Sequence, residues 1–119
     1  MRTLKATYSV SLDGGLAGTH LMRGSHAHEF EVYWLLSVIV IELFTGTFTD
    51  IDLGWASNTA AVVNVDATRL AVPVPGAAWW AVTGGTPLHF GAAEPFTATV
   101  NGGDAATGML VLLLQADSP

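Results

Sequence analysis

The stretch FEVYWLLSVIVIELF, residues 30–44, is the most apolar part of the chain, and the interpretation of the remainder follows from it. It is dense in β-branched and aromatic side chains, which fit a pleated sheet and lose rotamer freedom in a helix. It has no polar stripe at helical spacing, and its uninterrupted apolar run is short of the ~20 residues that a membrane span needs. The stretch therefore predicts a buried β-strand, or two strands joined by a bulge near Ser37.

Alternation along this strand separates two faces. The even positions of 30–40 are all apolar and are predicted to face the core. The odd positions begin with Glu31 and Tyr33 and end with Ile39 and Ile41, so this second face becomes apolar halfway along. Because a sheet in a sandwich needs only one apolar face, the odd face requires another cover. A neighbouring subunit is the simplest one.

Short segments with strand character continue along the chain between Gly, Pro, Asn and Asp turns. We expect eight to ten of them, with a possible bulge or corner at Gly46. They predict one all-β domain over residues 1–119, either an antiparallel, jelly-roll-like β-sandwich or a β-barrel of about eight short strands, with no substantial helix. The clearest segments are Leu4–Leu12, Thr19–Met22, Ala60–Val65, Arg69–Val74, Phe96–Val100 and Met109–Ala116, and Arg23–His28 is predicted to be a polar loop.

The composition excludes several classes of partner. Only 12% of the residues are charged, against about a quarter in an ordinary soluble domain, so much of the surface is expected to be uncharged or covered by other subunits. The net charge is −6 and the few cations form no cluster, which argues against binding to nucleic acid or to an anionic membrane. There is no cysteine, and the N-terminus lacks the apolar core of a signal peptide.

The sequence HAHE at 26–29 is the best candidate for metal chemistry. In a strand His26 and His28 share a face and could bind a metal together with a distant histidine, His20 or His89. The His-x-His core resembles the metal motif of the cupins, but no glutamate follows His28 at the cupin spacing. Solvated loop histidines are the simpler interpretation, so we expect no cofactor. We keep His26, His28 and His89 as the alternative metal set.

Four tryptophans are many for a chain of this length. Trp79 and Trp80 point to opposite faces if they lie in a strand, so one of them must pack on a loop, a neighbour or a ligand. Exposed tryptophans with polar neighbours stack on sugar rings, which makes a carbohydrate-binding module using Trp55, Trp79 or Trp80 an alternative. Burial in the core or at a subunit interface is the simpler expectation.

Two carboxylates, Asp50 and Asp52, share one face of a predicted strand. They resemble half of a cation site, although a solvated strand face is the simpler interpretation. Glycoside hydrolysis would require two carboxylates facing each other across a cleft, which this spacing does not indicate. No serine stands in a nucleophile elbow, and the glycine pairs form no phosphate loop. We therefore do not expect an enzyme.

The closing segment TVNGGDAATGMLVLLLQA, residues 99–116, joins Ala/Thr/Gly/Val-rich strands with a single lysine and no cysteine. In these features the chain resembles small all-β decoration (cement) proteins of phage capsids, whose trimers are similar to the tumour-necrosis-factor-like jelly roll. The resemblance implies a homotrimer on the virion surface that clamps neighbouring subunits of the major capsid protein. If the protein is not part of a virion, we expect it in the cytoplasm.

The sequence thus predicts a structural protein that stabilises a shell by bridging its subunits. The expected subunit interface consists of Ile39, Ile41, Trp79, Trp80, Leu112 and Leu114. The expected partner-facing loop contains Arg23, His26, His28 and Glu29.

Overall fold

The computed structural model of the protein describes residues 2–29, 31–71 and 93–117, and in these ranges it is an all-β fold. The two helices there, α1 (Val10–Asp13) and α2 (Ala67–Leu70), have four residues each. The seven strands are β1 (Arg2–Ser9), β2 (Gly18–Ala27), β3 (Val32–Gly46), β4 (Asp50–Trp55), β5 (Asn58–Asp66), β6 (Glu94–Asn101) and β7 (Ala105–Asp117). The predicted all-β class without a substantial helix is confirmed.

All strand pairs are antiparallel, and the strand order β3-β7-β1-β2-β6-β4-β5 curls into a nearly closed barrel. Strand β2 forms the corner. Its beginning and end pair with β6, whereas Arg23 and Gly24 in the middle pair with β1. We call β3, β7 and β1 the first sheet, and β2, β6, β4 and β5 the second sheet. Strands β3 and β5 are the two edges.

The core consists of the alternate side chains of each strand that point into the barrel. Strand β7 supplies Leu110, Leu112 and Leu114, all of them fully buried. Aromatic rings fill both ends of the barrel: Tyr8 and Phe44 stack at 6.2 Å between ring centroids at one end. At the other end lie Tyr33, Trp55 and Phe96. Burial of this apolar surface is the main favourable term in the folding of such a domain.

Strand β3 differs from the prediction in which face it buries. Its pairing with β7 skips one residue at Leu36, which confirms the bulge predicted near Ser37. One extra residue reverses the in–out alternation of everything before it. Tyr33 therefore lies in the core, while Trp34 pairs with an outward-facing position of β7 and is only half-buried. The prediction that even positions face the core is right at Val38 and Val40 and wrong at Val32, Trp34 and Leu36, while residue 30 lies outside the described residues.

The second predicted bulge position is also confirmed. The pairing of β3 with β7 shifts again between Thr45 and Gly46, and Gly46 has a φ of +133°. A side chain at this position would collide with the backbone of Asp104 and Ala105 on the neighbouring turn. Glycine is therefore required where β3 ends and the chain crosses the end of the barrel.

Three segments were predicted incorrectly. The first strand ends at Ser9 rather than Leu12, because the Asp13 carboxylate accepts a hydrogen bond from the Ser9 backbone N–H at 2.8 Å and fixes a helical turn. The chain from Arg69 begins as the end of α2 rather than as a strand, because Asp66 caps that helix through the Arg69 N–H at 3.0 Å. The segment predicted as a polar loop, residues 23–28, is strand as far as Ala27.

Candidate functional site

An uncharged surface covers the outside of β3 and β7. Side chains at paired positions point to the same side of a sheet, so Ile39 lies beside Val111 and Ser37 beside Leu113 on the side away from the core. We call this surface the outer apolar face, and it comprises Trp34, Ile39, Met109, Val111 and Leu113. The odd face of the opening strand, which was predicted to become apolar halfway along, therefore meets the outward apolar side chains of the last strand in a single patch.

The bulges of β3 add exposed apolar side chains along the rim of this face. Leu36 and Ile41 are each a single residue that the pairing with β7 skips, and Leu43 lies in the next irregularity, between Glu42 and Thr45. Their exposed fractions are 36%, 47% and 38%. Bulges hinder the addition of a further strand to an edge. Contact through the side-chain face is therefore better suited to this strand than pairing along its edge.

The charge of the molecule lies elsewhere. All ten acidic and all four basic residues of the chain are within the described ranges. None of them falls in residues 32–41 of β3 or in residues 105–116 of β7. The nearest cation is Lys5 on β1, which pairs with Leu113. The nearest acidic residue is Glu42, which pairs with Met109 at the margin of the face. A protein of net charge −6 thus has one face on which a like-charged molecule meets few acidic groups.

The predicted interface residues divide into three groups. Ile39 is half-buried on the outer apolar face and Ile41 is exposed beside it, as an interface would require. Leu112 and Leu114 are 0% and 1% exposed inside the barrel, so assigning them to an interface was wrong: they belong to the alternate set of β7 that faces the core. Residues 79 and 80, the paired tryptophans, lie outside the described residues.

The predicted partner-facing loop is not one structural unit. Arg23 and His26 belong to β2, and the Arg23 guanidinium donates to the Asp13 carboxylate at 3.1 Å. The strand continues here because Gly24 packs closely against the backbone of β1, where a Cβ would collide with the Lys5 carbonyl oxygen. Two of the proposed contact residues, at positions 28 and 29, follow the strand and are exposed.

The histidines are not brought together as a metal site in the described part of the chain. The His20 Nε2–H donates to the Leu16 carbonyl oxygen at 2.7 Å, and the His20 ring stacks on Tyr8. It lies six residues before His26 on the same strand, which is about 20 Å in an extended chain. Its role as the distant ligand is therefore wrong. His89 lies outside the described residues, and within them no three His, Cys, Asp or Glu side chains form a group suited to a metal.

Trp55 is a core residue rather than a sugar-stacking platform. It is 4% exposed, and its ring centroid lies 5.4 Å from that of Tyr33. Its inward direction follows from its place in β4, two residues after the buried Leu53 and on the same face of the strand. The prediction that Trp55 could bind a glycan is wrong.

A cluster of two carboxylates and two carboxamides lies on the outside of the second sheet. Asn101 donates to Asp50 at 2.7 Å and to Asp52 at 3.0 Å, and Asn64 donates to the same two carboxylates at 3.0 and 2.8 Å. The bond from Asn101 is the main reason why the pKa of Asp50 is lowered from its ordinary value; Asn64 and Thr49 act in the same direction. The shared face of the two aspartates is confirmed, and their charges are compensated by hydrogen bonds.

The sequence did not reveal the two asparagines of this cluster. Asn64 pairs with Asp52 across β5 and β4, and Asn101 pairs with Asp50 across β6 and β4. The four residues meet only through the register of three strands, two of which are far apart in the chain. The only available signal was the Asn-Gly-Gly turn, which indicated a hairpin and nothing about its neighbours.

Two tyrosines are buried and have perturbed pKa values. Burial raises the pKa of Tyr8 to about 12, and the Asp13 charge adds to the effect. Burial likewise raises the pKa of Tyr33 to about 12, with the nearby Glu31 carboxylate contributing. The Tyr8 hydroxyl donates to the Gly14 carbonyl oxygen at 2.6 Å. Both phenols are thus held neutral, in structural rather than solvent-accessible positions.

None of the described helices is long and apolar enough to cross a membrane. No family model matches the chain, and comparison with the curated proteins and with the solved structures gives no match either.

Proposed function

We propose that the protein is a non-enzymatic structural module that works as a homo-oligomer and stabilises a larger protein shell, in the manner of a phage capsid decoration protein. The observation that supports this most is the outer apolar face, which is uncharged although it lies on an edge strand and its neighbour. Four of its residues are half-buried at the surface and Val111 is 7% exposed. An apolar patch at the surface marks a candidate site of interaction. The shell and its virion location come from the sequence resemblance.

The size of the face is relevant to how the module would act. Strands β3 and β7 pair over about ten residues and lie about 5 Å apart, so together with their side chains they present roughly 400 Å². A standard interface covers about 800 Å² per partner. One such contact would be weak by itself, and a stable assembly would require a further contact. A module that binds both its own copies and a shell satisfies this condition, because linked contacts strengthen one another.

The charge distribution supports self-association in particular. Two copies of net charge −6 repel each other, and the repulsion is smallest where neither surface carries an acidic group. The outer apolar face carries a single acidic side chain, that of Glu42 at its margin beside Met109, whereas the second sheet carries the paired carboxylates of Asp50 and Asp52. The number of copies rests on the resemblance alone, which implies a homotrimer.

The proposal is tested by light scattering on the purified protein over a wide concentration series. We expect a mass of several chains at high concentration and a thermal midpoint that rises with concentration, since association stabilises only the folded state. A mass of one chain throughout, with a midpoint independent of concentration, would contradict the proposal.

The carbohydrate-binding alternative has lost one of its three tryptophans to the core. It now depends on Trp79 and Trp80 alone. A titration of intrinsic tryptophan fluorescence with a panel of oligosaccharides distinguishes it from the structural role.

A further inference from the structure

The turn between β6 and β7 contains the sequence Asn101-Gly102, which has a known chemical weakness. Asparagine is a thermolabile residue, and it is most reactive before glycine, because glycine has no side chain to shield its backbone nitrogen. The other two asparagines of the chain, Asn58 and Asn64, both precede β-branched residues. Asn101 is therefore the one position of the chain where deamidation should be fast in the absence of structure.

The reaction is intramolecular and needs only water. The backbone nitrogen of Gly102 attacks Cγ of Asn101 and forms a new C–N bond. The bond from Cγ to Nδ2 then breaks, and Nδ2 leaves as ammonia with the proton of the Gly102 amide. Water opens the resulting five-membered imide to aspartate or isoaspartate. The leaving group is thus the same nitrogen that donates to the two carboxylates of the cluster.

The fold holds this leaving group in place. The Asn101 Nδ2 donates to Asp50 at 2.7 Å and to Asp52 at 3.0 Å, so both of its hydrogens are bound to carboxylates. The Asn101 carbonyl oxygen is fixed as well, because the Thr49 N–H donates to it at 2.8 Å. Formation of the imide must break both side-chain bonds, and hydrogen bonds to charged groups are the stronger kind.

We propose that Asn101 is a latent deamidation site, which Asp50 and Asp52 keep unreactive as positioning residues. Conversion of Asn101 to aspartate would replace two hydrogen-bond donors by a third carboxylate against the existing two. Like charges at this distance repel each other, and only Asn64 and the Thr49 hydroxyl would remain to compensate them. Slow deamidation of Asn101 would therefore weaken the pairing of β6 with β4 at the Asp50–Asn101 pair, where β6 ends.

The rate is tested by peptide mass spectrometry of protein kept warm at mildly alkaline pH. We expect deamidation at Asn101 to be at least about tenfold slower in the folded protein than in the protein unfolded by denaturant. Asp52→Ala, with its fold verified by circular dichroism, should accelerate the reaction at Asn101. Asp52→Asn should restore protection, because its amide oxygen still accepts the Asn101 hydrogen. Asn64, before a bulky residue, is the internal control and should stay intact.

Equal rates in the folded and unfolded protein would overturn the proposal. So would an unchanged rate in a folded Asp52→Ala protein. A second variant tests the consequence directly: Asn101→Asp should be less stable than wild type at neutral pH and should recover as the carboxylates are protonated by acid. Asn58→Asp, outside the cluster, is the matched control and should change little. An Asn101→Asp protein as stable as wild type at neutral pH would also contradict the inference.

Discussion

Single residues determine how tightly the barrel closes, and Gly108 on β7 is the clearest case. It has a φ of +141°, and a Cβ at this position would overlap the ring of Phe44. The Phe44 ring thus covers the backbone of the neighbouring strand. Packing of this kind leaves no room for a methyl group unless the ring moves.

We expect Gly108→Ala to lower the free energy of unfolding by roughly 2–5 kcal/mol, since overpacking and backbone strain add together. Gly18→Ala is the matched control. Gly18 also has a positive φ, of +128°, but nothing lies within 4 Å of a Cβ there. In the control, backbone strain alone should lower the free energy of unfolding, by about 1–2 kcal/mol. Equal losses in denaturant unfolding of both variants would mean that the contact with Phe44 has no energetic weight.

The two tyrosines of the chain predict how stability depends on alkaline pH. Each phenol ionises near pH 10.0 in the unfolded chain and near 12 in the folded one, because burial disfavours the tyrosinate. Their contribution is fully present below pH 10 and is lost as pH rises through about 12. Ultraviolet titration should show no tyrosinate in the folded protein at pH 10.0, the ordinary value. Ionisation of one residue near that value would show that its ring is accessible to solvent.

At the scale of elements, the bulges of β3 determine which side chains the strand buries. Leu35 pairs with Leu114 and Ser37 with Leu113, so Leu36 is the single unpaired residue between them. Removing it leaves both pairs in register. Removing a paired residue instead shifts all residues on one side of it to the opposite face.

Deletion of Leu36 should therefore be tolerated, with a loss of about 1–2 kcal/mol from the altered twist of the strand. Deletion of Ile39 is the matched control. Deleting Ile39 shifts the strand by one residue on one side of the deletion. Either Tyr33 or Val40 would then point out of the core, and we expect no folded protein. Thermal unfolding followed by circular dichroism distinguishes the two. If both deletions unfold the domain, the bulge itself is required for the barrel to close.

The sequence allowed prediction of strands wherever side chains alternate, as in β1 and β6, because period-two burial is a local signal. The last strand is apolar at nearly every position, so the sequence could not show which of its faces is the inner one. It located the bulge of β3 only approximately, since a slip of one residue changes no composition. It missed α2, because the cap on Asp66 is a single side-chain contact. It could not place Asn64 and Asn101 beside the aspartates, because that meeting depends on the order of the strands in the sheet.

At the scale of the whole molecule, charge and apolar surface are segregated. The second sheet carries the compensated aspartates, while the outer apolar face of the first sheet is uncharged. The two sides therefore differ in charge, and under the proposed function the less charged side is the one that contacts another subunit. Another copy of the chain, with the same net charge of −6, meets least repulsion on that side.

Native mass spectrometry of the wild type beside Ile39→Asp and Ile41→Asp tests this self-association most directly. Both residues lie on or beside the outer apolar face, so a charge there should dissociate the oligomer and leave each subunit folded. Val40→Asp, between them but fully buried, should instead unfold the subunit. We predict an oligomer for the wild type and folded monomers for the two surface variants. A wild-type protein that stays monomeric, or surface variants that keep the wild-type mass, would contradict the account.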